Sequence, residues 1–365
     1  MKIVFLVEQL INSGPENVVF NICNSIDKEK YTPIIFSLRG EAKQNSIEEK
    51  FKALKIEIVH FCFSTIDLEF KTKKAAIVIG DKFKEVNGDV LHVHCYHPQL
   101  IAKYLKSIHT IVTLHNISGE DLPLKKGKIL GSYMKWRFDH AIPHIEKVVS
   151  ISDYMTQYYS DMCKGIVKVS NGVQYRKDTQ FDSKQFKASV GVDSSKRIVL
   201  VTGTLSERKN VSYLISELKE STHDFLCIVL GDGDKSDECI QIADGDNRFR
   251  FEGFKNNVKD YLYIADMYIS ASKSEGLPMS VLEALNMGVP CLLSAIPPHI
   301  EIQRNMNVNG VKCFELERGA LLKLFEKENT QDFNNTGIAK KANSLYSAEA
   351  MTKRYEQLYD ELLKN

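Results

Sequence analysis

The sequence has no apolar run of about 18 residues, the length a helix needs to cross a bilayer. It also has no surplus of charge of either sign. The first absence argues against a transmembrane helix. The second, 48 basic residues against 47 acidic for a net charge of +1, removes the electrostatic footprint of a nucleic-acid-binding chain. CxxC pairs are missing too. The eight cysteines (Cys23, Cys62, Cys95, Cys163, Cys227, Cys239, Cys291 and Cys313) are scattered, several of them inside apolar runs, which fits reduced, buried thiols. The opening MKIVFLV is too short for a signal-peptide core plus cleavage site. It reads as a buried first strand, and the protein as cytoplasmic.

Core material is ample. Of 365 residues, 43% are apolar and 26% charged, as in a folded, soluble protein. That length exceeds what one hydrophobic core usually fills, so two domains are expected. Short apolar runs alternate with longer amphipathic stretches, the pattern of a parallel sheet covered by helices on both faces. KIVFLV, YTPIIFSL, IEIVHF, VLHVH, HTIVTLH and KVVSIS are the candidate strands of residues 1–173, with helices expected near 18–26 and 46–54. Residues 174–196 are polar, lack a long apolar period and read as a linker. A second series follows in 197–345: RIVLVTG, a helix near 211–218, FLCIVLGDG, FRFEGF, MYISAS, a helix from Pro278, and VPCLLSA. Two similar α/β domains facing across a cleft are implied. Residues 346–365 are helical by composition, and Met351, Tyr355, Leu358 and Leu362 form a stripe that must be buried.

The densest local signal is SEGLPMSVLEALNMGVP, which starts where MYISAS ends and carries Glu275 and Glu283. Ligands of open parallel sheets sit at the carboxyl ends of strands. Gly276 lets a ligand approach the backbone, Pro278 suits the first turn of a helix and Gly288 its end. Free amides and the positive end of the helix dipole near Leu277, Pro278, Met279 and Ser280 would then favour a diphosphate without a metal. Glu283, one to two turns on, is within reach of a ribose.

This segment resembles the E-x7-E signature of glycosyltransferase family 4, and the resemblance spans most of the chain. It implies the GT-B fold of two Rossmann-like domains, a C-terminal helix returning to the N-terminal domain, and transfer of a sugar from a nucleotide sugar with retention. By position, Glu275 would contact the transferred sugar and Glu283 the ribose hydroxyls. VTGTLSERKN matches the family's phosphate-gripping loop after Gly203. Lys209 keeps the lysine of that loop, but Thr204 stands where the family has arginine, and Arg208 is the candidate to supply the missing charge. Gly14, in NSGPENVVFN, matches a glycine-rich turn, with Glu16 at its acidic position. His115 and Asn116, at the end of HTIVTLH, match the strand-end histidine beside the reacting sugar, with His94 on the acceptor side. Gly231 matches a turn near the nucleotide, and Phe254, in FEGF, a segment beside the base.

Two rival readings attach to other residues. His92 and His94 share a strand face and, with His97 nearby, invite a metal, but no cysteine or acid completes a tetrahedral set. Asp232 to Asp234 and Asp244 to Asp246 resemble the metal-binding DxD of single-domain GT-A transferases, though both fit turns. The expectation is no metal and no cofactor beyond the nucleotide-sugar substrate.

Residues 122–137, from Leu122 to Arg137, interleave Lys125, Lys126, Lys128, Lys135 and Arg137 with Ile129, Leu130, Met134 and Trp136. A basic amphipathic segment of this kind suits peripheral contact with the inner face of a membrane, and an ordinary solvated helix face is the competing reading. The expectation is a metal-independent hexosyl- or N-acetylhexosaminyl-type transferase. It would use a UDP-sugar on a glycan or lipid-linked glycan acceptor in bacterial-type surface polysaccharide synthesis. A sugar-nucleotide epimerase, a phosphorylase of the same architecture, and a non-catalytic nucleotide-sugar-binding module are the alternatives.

Overall fold

The structure, a computed structural model, describes residues 1–174, 180–193, 195–329 and 331–364, with the side chains of Leu124 and Lys125 excepted. It divides into two units, Met1–Gly172 with Ala348–Asn365, and Val173–Ser347.

Seven strands build the sheet of the first unit: β1 (Lys2–Val7), β2 (Thr32–Ser37), β3 (Glu57–His60), β4 (Val90–His94), β5 (His109–Leu114), β6 (Lys147–Ser150) and β7 (Val167–Lys168). They lie in the order β3-β2-β1-β4-β5-β6-β7, and every pairing is parallel. Helices cover both faces, so the central strands are buried on both sides and read as unbroken apolar runs; Ile3 to Val7 are wholly inaccessible. The second unit repeats the plan with β8 (Arg197–Thr202), β9 (Phe225–Leu230), β10 (Phe249–Gly253), β11 (Met267–Ser270), β12 (Cys291–Ser294) and β13 (Val311–Phe314). Their order is β10-β9-β8-β11-β12-β13, again all parallel. Both units are Rossmann-like.

Each sheet reverses its strand order once, at β1/β4 in the first unit and at β8/β11 in the second. Connections leaving the two strands at such a point go to opposite faces and open a crevice at the carboxyl ends. The loops after β1 and β4, and those after β8 and β11, are therefore the places where each unit can hold a ligand.

The C-terminal helix, Ala348–Leu362, returns to the first unit and packs on the helix Gly14–Ser25. Its buried side includes Met351, Tyr355, Leu358 and Leu362, the stripe read from the sequence. Lys30 pairs with Asp360 on its outer edge at 2.5 Å.

Three expectations are corrected. Residues 174–196 are more than a linker: 175–179 and Ser194 lie outside the described residues, but Ser183–Ser189 is a helix of the second unit, capped by Asp182. Two aromatic anchors replace a long apolar period there. Phe181 stacks on Tyr263 with centroids 4.2 Å apart, and Phe186 meets Tyr261 edge-on at 5.2 Å. Residues 122–137 are broken at Gly127, whose φ of 78° ends one helix (Ser118–Lys126) and begins the next (Lys128–Ala141). The two pack so closely at Gly131 that a Cβ there would lie 2.6 Å from the Leu122 carbonyl oxygen. Finally, all eight cysteines are free, but only Cys23, Cys227, Cys239 and Cys291 are buried, and Cys62 is exposed. Among the described residues no helix is long and apolar enough to cross a membrane.

The anchoring of 183–189 makes a prediction. Phe186→Ala should speed amide hydrogen exchange across that helix while β8 to β13 stay protected, at a cost of about 1 kcal/mol for the lost ring pair. Unchanged exchange in 183–189 contradicts the anchoring.

Candidate functional site

At the switch point of the second sheet, the chain leaving β8 turns at Gly203 (φ 131°) and passes an exposed Thr204 to Arg208 and Lys209. Asn210, left-handed with φ 54°, then starts the helix Val211–Lys219. The neighbouring loop, after β11, carries Glu275. Its side chain is only 8% exposed, and both cations close on it: Lys209 Nζ lies 2.6 Å from Oε1 and Arg208 Nη1 2.7 Å from Oε2. Ser272 donates to Oε1 at 2.9 Å, and Arg208 also donates to the Ser274 carbonyl at 2.8 Å. Burial pushes the Glu275 carboxyl up, but Lys209 and Arg208 outweigh it and hold it at about 2. One anion facing two cations leaves a net positive charge at the switch point.

Glycine is required beside them. A Cβ on Gly231 (φ 135°) would stand 2.0 Å from the Gly203 carbonyl oxygen, so the ends of β8 and β9 pack only if that residue is bare. Lys209 lies along Gly203, its Cε 3.2 Å from where a Cβ would be. The helix Met279–Asn286 starts close by in sequence. Pro278 is its extended cap (φ −74°, ψ 112°) rather than a first-turn residue, and its carbonyl accepts the amides of Val281 and Leu282, each at 3.2 Å. The amides of Met279 and Ser280 precede the first intrahelical bond and point out of the helix start. Gly276 and Leu277 are buried, Glu283 is partly exposed on the same helix, and Gly288 ends it with φ 81°. Phe254 leaves β10 as an exposed aromatic ring. Its amide donates to Asp232 Oδ2 at 2.8 Å. Asp246 is held by Arg248 at 2.7 Å, and Asp244 caps the helix Ser236–Ala243 in a left-handed conformation. Among the described residues no group of three or more His, Cys, Asp or Glu is arranged to hold a metal ion.

Gly14, His94, His115 and Asn116 belong to the first unit. Gly14 does not form a turn: it opens the helix Gly14–Ser25, with Ser13 extended as cap and a proline in the first turn. Pro15 is preorganised for that position. A Cβ on Gly14 meets nothing within 4 Å, so the fold itself does not require glycine there. Glu16 is buried and accepts from the Ser13 hydroxyl, and burial pushes its carboxyl up. On β4 and β5 the histidines form a stack. His92 and His94 rings lie 4.2 Å apart, and His94 Nδ1 is 2.9 Å from His115 Nε2. Burial pushes His92 and His94 well below the ordinary histidine value and His115 to about 3. The cluster is therefore neutral at physiological pH, and one of the two facing nitrogens of His94 and His115 carries the shared proton. The C-terminal helix fixes the far end: Tyr359 hydroxyl lies 2.8 Å from His92 Nδ1, while Thr113 joins His92 Nε2 to Tyr355. Asn116 accepts from the Tyr159 hydroxyl through its carbonyl at 3.2 Å. Cys95, between β4 and the helix Tyr96–Ala102, has φ 72°, a conformation rare for a residue with a side chain.

Several residues escaped sequence reasoning. Ser272 is one, although three residues before an acid it is a simple candidate donor. Glu8 follows β1 and meets His97 at 3.0 Å, and His97 meets Glu69 at 2.9 Å. Burial works against the charged His97 ring, but the two carboxylates raise its pKa. His299 is wholly buried with Nδ1 2.9 Å from the Ser294 carbonyl, and burial pushes it down to about 4. Nothing in PPHIEIQ marks it beforehand.

Two family models match the chain. "Glycosyltransferase Family 4" covers residues 12–176 and "Glycosyl transferases group 1" covers 182–327, together most of the sequence. A curated relative, the O-antigen biosynthesis glycosyltransferase WclY of Escherichia coli, is 20% identical over 100% of this chain and 99% of its own. The Escherichia coli UDP-Gal:alpha-D-GlcNAc-diphosphoundecaprenol alpha-1,3-galactosyltransferase is 23% identical over 67% of this chain and 64% of its own. Among solved structures, a glycosyltransferase from Rickettsia africae superimposes with a TM-score of 0.78 at 18% identity, covering 100% of this chain and 99% of its own. Anabaena HepE in complex with UDP and glucose gives 0.79 at 16%, covering 99% and 100%. These likenesses establish the GT-B type of fold.

The histidine stack sets the acid limb of stability. An unfolded histidine takes up its proton near pH 6.5, whereas buried His94 resists it until far lower. Below pH 6.5 the unfolded state therefore binds more protons, and stability falls by up to about 1.4 kcal/mol per pH unit for one such ring. Urea unfolding of His94→Gln between pH 6.5 and 5 should show a shallower loss than the wild type. Parallel slopes contradict a neutral, buried His94.

Proposed function

We propose, for a chain that belongs to glycosyltransferase family 4, that this glycosyltransferase moves a sugar from UDP to a glycan or lipid-linked glycan acceptor with retention and without a catalytic metal. The observation that carries the reading is the buried carboxylate of Glu275 clasped by Arg208 and Lys209 at the switch point of the second sheet. UDP is chosen because HepE is described with UDP and glucose and the galactosyltransferase relative is named for UDP-Gal. Surface polysaccharide synthesis follows the O-antigen role in the name of WclY. A hexose or N-acetylhexosamine is the sugar, and the cytoplasm the compartment, in this reading.

In this mechanism the diphosphate docks against Arg208, Lys209 and the amides of Met279 and Ser280, with the base beside Phe254 and the ribose at Glu283. Glu275, ionised throughout, aims the two cations and accepts from a sugar hydroxyl. The acceptor oxygen attacks the anomeric carbon on the face that the diphosphate leaves. The bond from that carbon to the phosphate oxygen breaks, the new glycosidic bond forms, and the departing phosphate takes the acceptor's proton. No protein nucleophile is needed. Cations fixed before the reaction stabilise charge that develops on the leaving group, which is worth more than binding it equally throughout. Neutral His115, in the first unit, is a hydrogen-bonding group rather than an acid. Thr204, exposed and uncharged, leaves the second positive charge to Arg208.

Kinetics with a UDP-sugar test these roles. Arg208→Ala should lower kcat by about a hundredfold to a thousandfold, as loss of one oriented donor to a transition-state charge does. Glu283→Ala should mainly raise KM. The product anomer read by proton NMR should match that of the donor, and activity should survive EDTA. An inverted product, or EDTA loss rescued by manganese, contradicts the mechanism, and conversion of the nucleotide sugar with no acceptor present would mark an epimerase.

A further inference from the structure

The first unit carries a second concave surface, framed by the helices Thr65–Phe70, Thr72–Glu85, Tyr96–Ala102 and Lys128–Ala141. They enclose an open cavity of about 510 Å³. Its cations divide into two kinds. Arg137 is engaged by Glu69 and Lys71 by Asp67. Lys73, Lys74 and Lys103 also line the cavity and have no acidic partner among the described residues. Lys135, on another side of the helix Lys128–Ala141 with its Cε beside Gly119, is neutralised by Asp139 at 2.5 Å.

Apolar exposure concentrates on the same four segments. Phe70 is 81% exposed, Ile77 59%, Trp136 56%, Tyr133 51% and Tyr104 43%, all of them lining the cavity, and Ile129 on its flank is 91% exposed. Single exposed apolar residues need no explanation, but a contiguous patch of them marks an interaction surface. Two features select the occupant. The aromatic set is Trp and Tyr with polar tips plus Phe, the composition found where a protein meets the headgroup level of a bilayer. The unpaired charge is of one sign, in a chain whose net charge is only +1, and comes from lysines whose long stems can lie along apolar surface while the ammonium reaches an anion. We propose that this face of the first unit docks on an anionic lipid bilayer, with the aromatic side chains at headgroup depth and Lys73, Lys74 and Lys103 against lipid phosphates. The surface is wider than residues 122–137: the cations lining it that lack an acid lie on 73–103, and the cation it takes from 122–137, Arg137, is already paired with Glu69. The proposal stands apart from the assignment of donor and mechanism, since it is read without any sugar nucleotide.

The chain has one tryptophan, and it is Trp136, so intrinsic fluorescence reports the proposed contact directly. The unmodified protein is titrated with vesicles of phosphatidylcholine alone and of phosphatidylcholine mixed with phosphatidylglycerol, at low and high salt. A blue shift and co-sedimentation with the anionic vesicles only, reversed by salt, are expected. Replacing three surface lysines (K73Q, K74Q, K103Q) should lower partitioning about a hundredfold, since each lysine near an anionic surface contributes roughly a factor of five. Circular dichroism identical to wild type confirms that this variant is folded. The proposal is overturned by absence of binding at low salt, or by equal binding to neutral vesicles. A discrete phosphate pocket takes its place if free inorganic diphosphate competes the vesicles off, and an unshifted Trp136 on sedimented vesicles overturns the assignment to this face, since the lipid contact then lies elsewhere on the chain.

Discussion

A carboxylate removed from water costs several kcal/mol unless cations meet it at hydrogen-bond distance, and Glu275 is met by two. Its ionisation at about 2 shows the cations winning over burial. Much of the second unit's local architecture follows from this requirement. Arg208 and Lys209 must leave one strand of the switch point and Glu275 the other, so β8 and β11 have to be neighbours although β9 and β10 intervene in sequence. The strand ends must also approach closely, which Gly203 and Gly231 permit and a Cβ at Gly231 would forbid. A buried triad with one cation in excess is a poor source of stability by itself. It is well suited to a site that awaits a ligand with more than one negative charge.

The first unit solves the opposite problem. Its strand-end histidines are buried without counter-ions, so they stay neutral; His94 Nδ1 is met by His115 and both His92 nitrogens by Tyr359 and Thr113, while His94 Nε2 is left without a partner among the described residues. Tyr355 and Tyr359 reach β4 and β5 from more than 240 residues away in sequence. That return explains why Ala348–Leu362 belongs to the first unit although it follows the second. It also gives the C-terminal helix a part in holding the stack that ends at His115.

What could be read from sequence followed the range of the interaction involved. The central strands were legible because burial on both faces forces unbroken apolar runs. The two-residue β7 and the short β13, with half-buried Lys312 in VKCF, lack such runs and went unseen. The helix Ser183–Ser189 was hidden for a related reason, since two aromatic contacts hold it rather than a periodic face. Glu275, Lys209 and Arg208 were legible as a set only through the family resemblance. Their meeting depends on pairs 66 residues apart, which no local pattern encodes. The same holds for Glu8, His97 and Glu69, brought together from three different connections. The turn expected at Gly14 is instead the start of a helix, because Pro15 starts that helix earlier than the apolar period suggests.

The central claim is that the Arg208–Lys209–Glu275 cluster grips the diphosphate of a nucleotide donor. Calorimetric titration of UDP, UMP and uridine into the wild type and Arg208→Ala isolates that grip from chemistry and from the acceptor. In the wild type, affinity should fall steeply from UDP to UMP to uridine, because each phosphate lost gives up charge-assisted bonds. In the variant that gradient should flatten while uridine is unaffected. Equal affinities for UDP and uridine in the wild type, or a gradient that survives the loss of Arg208 unchanged, would contradict it.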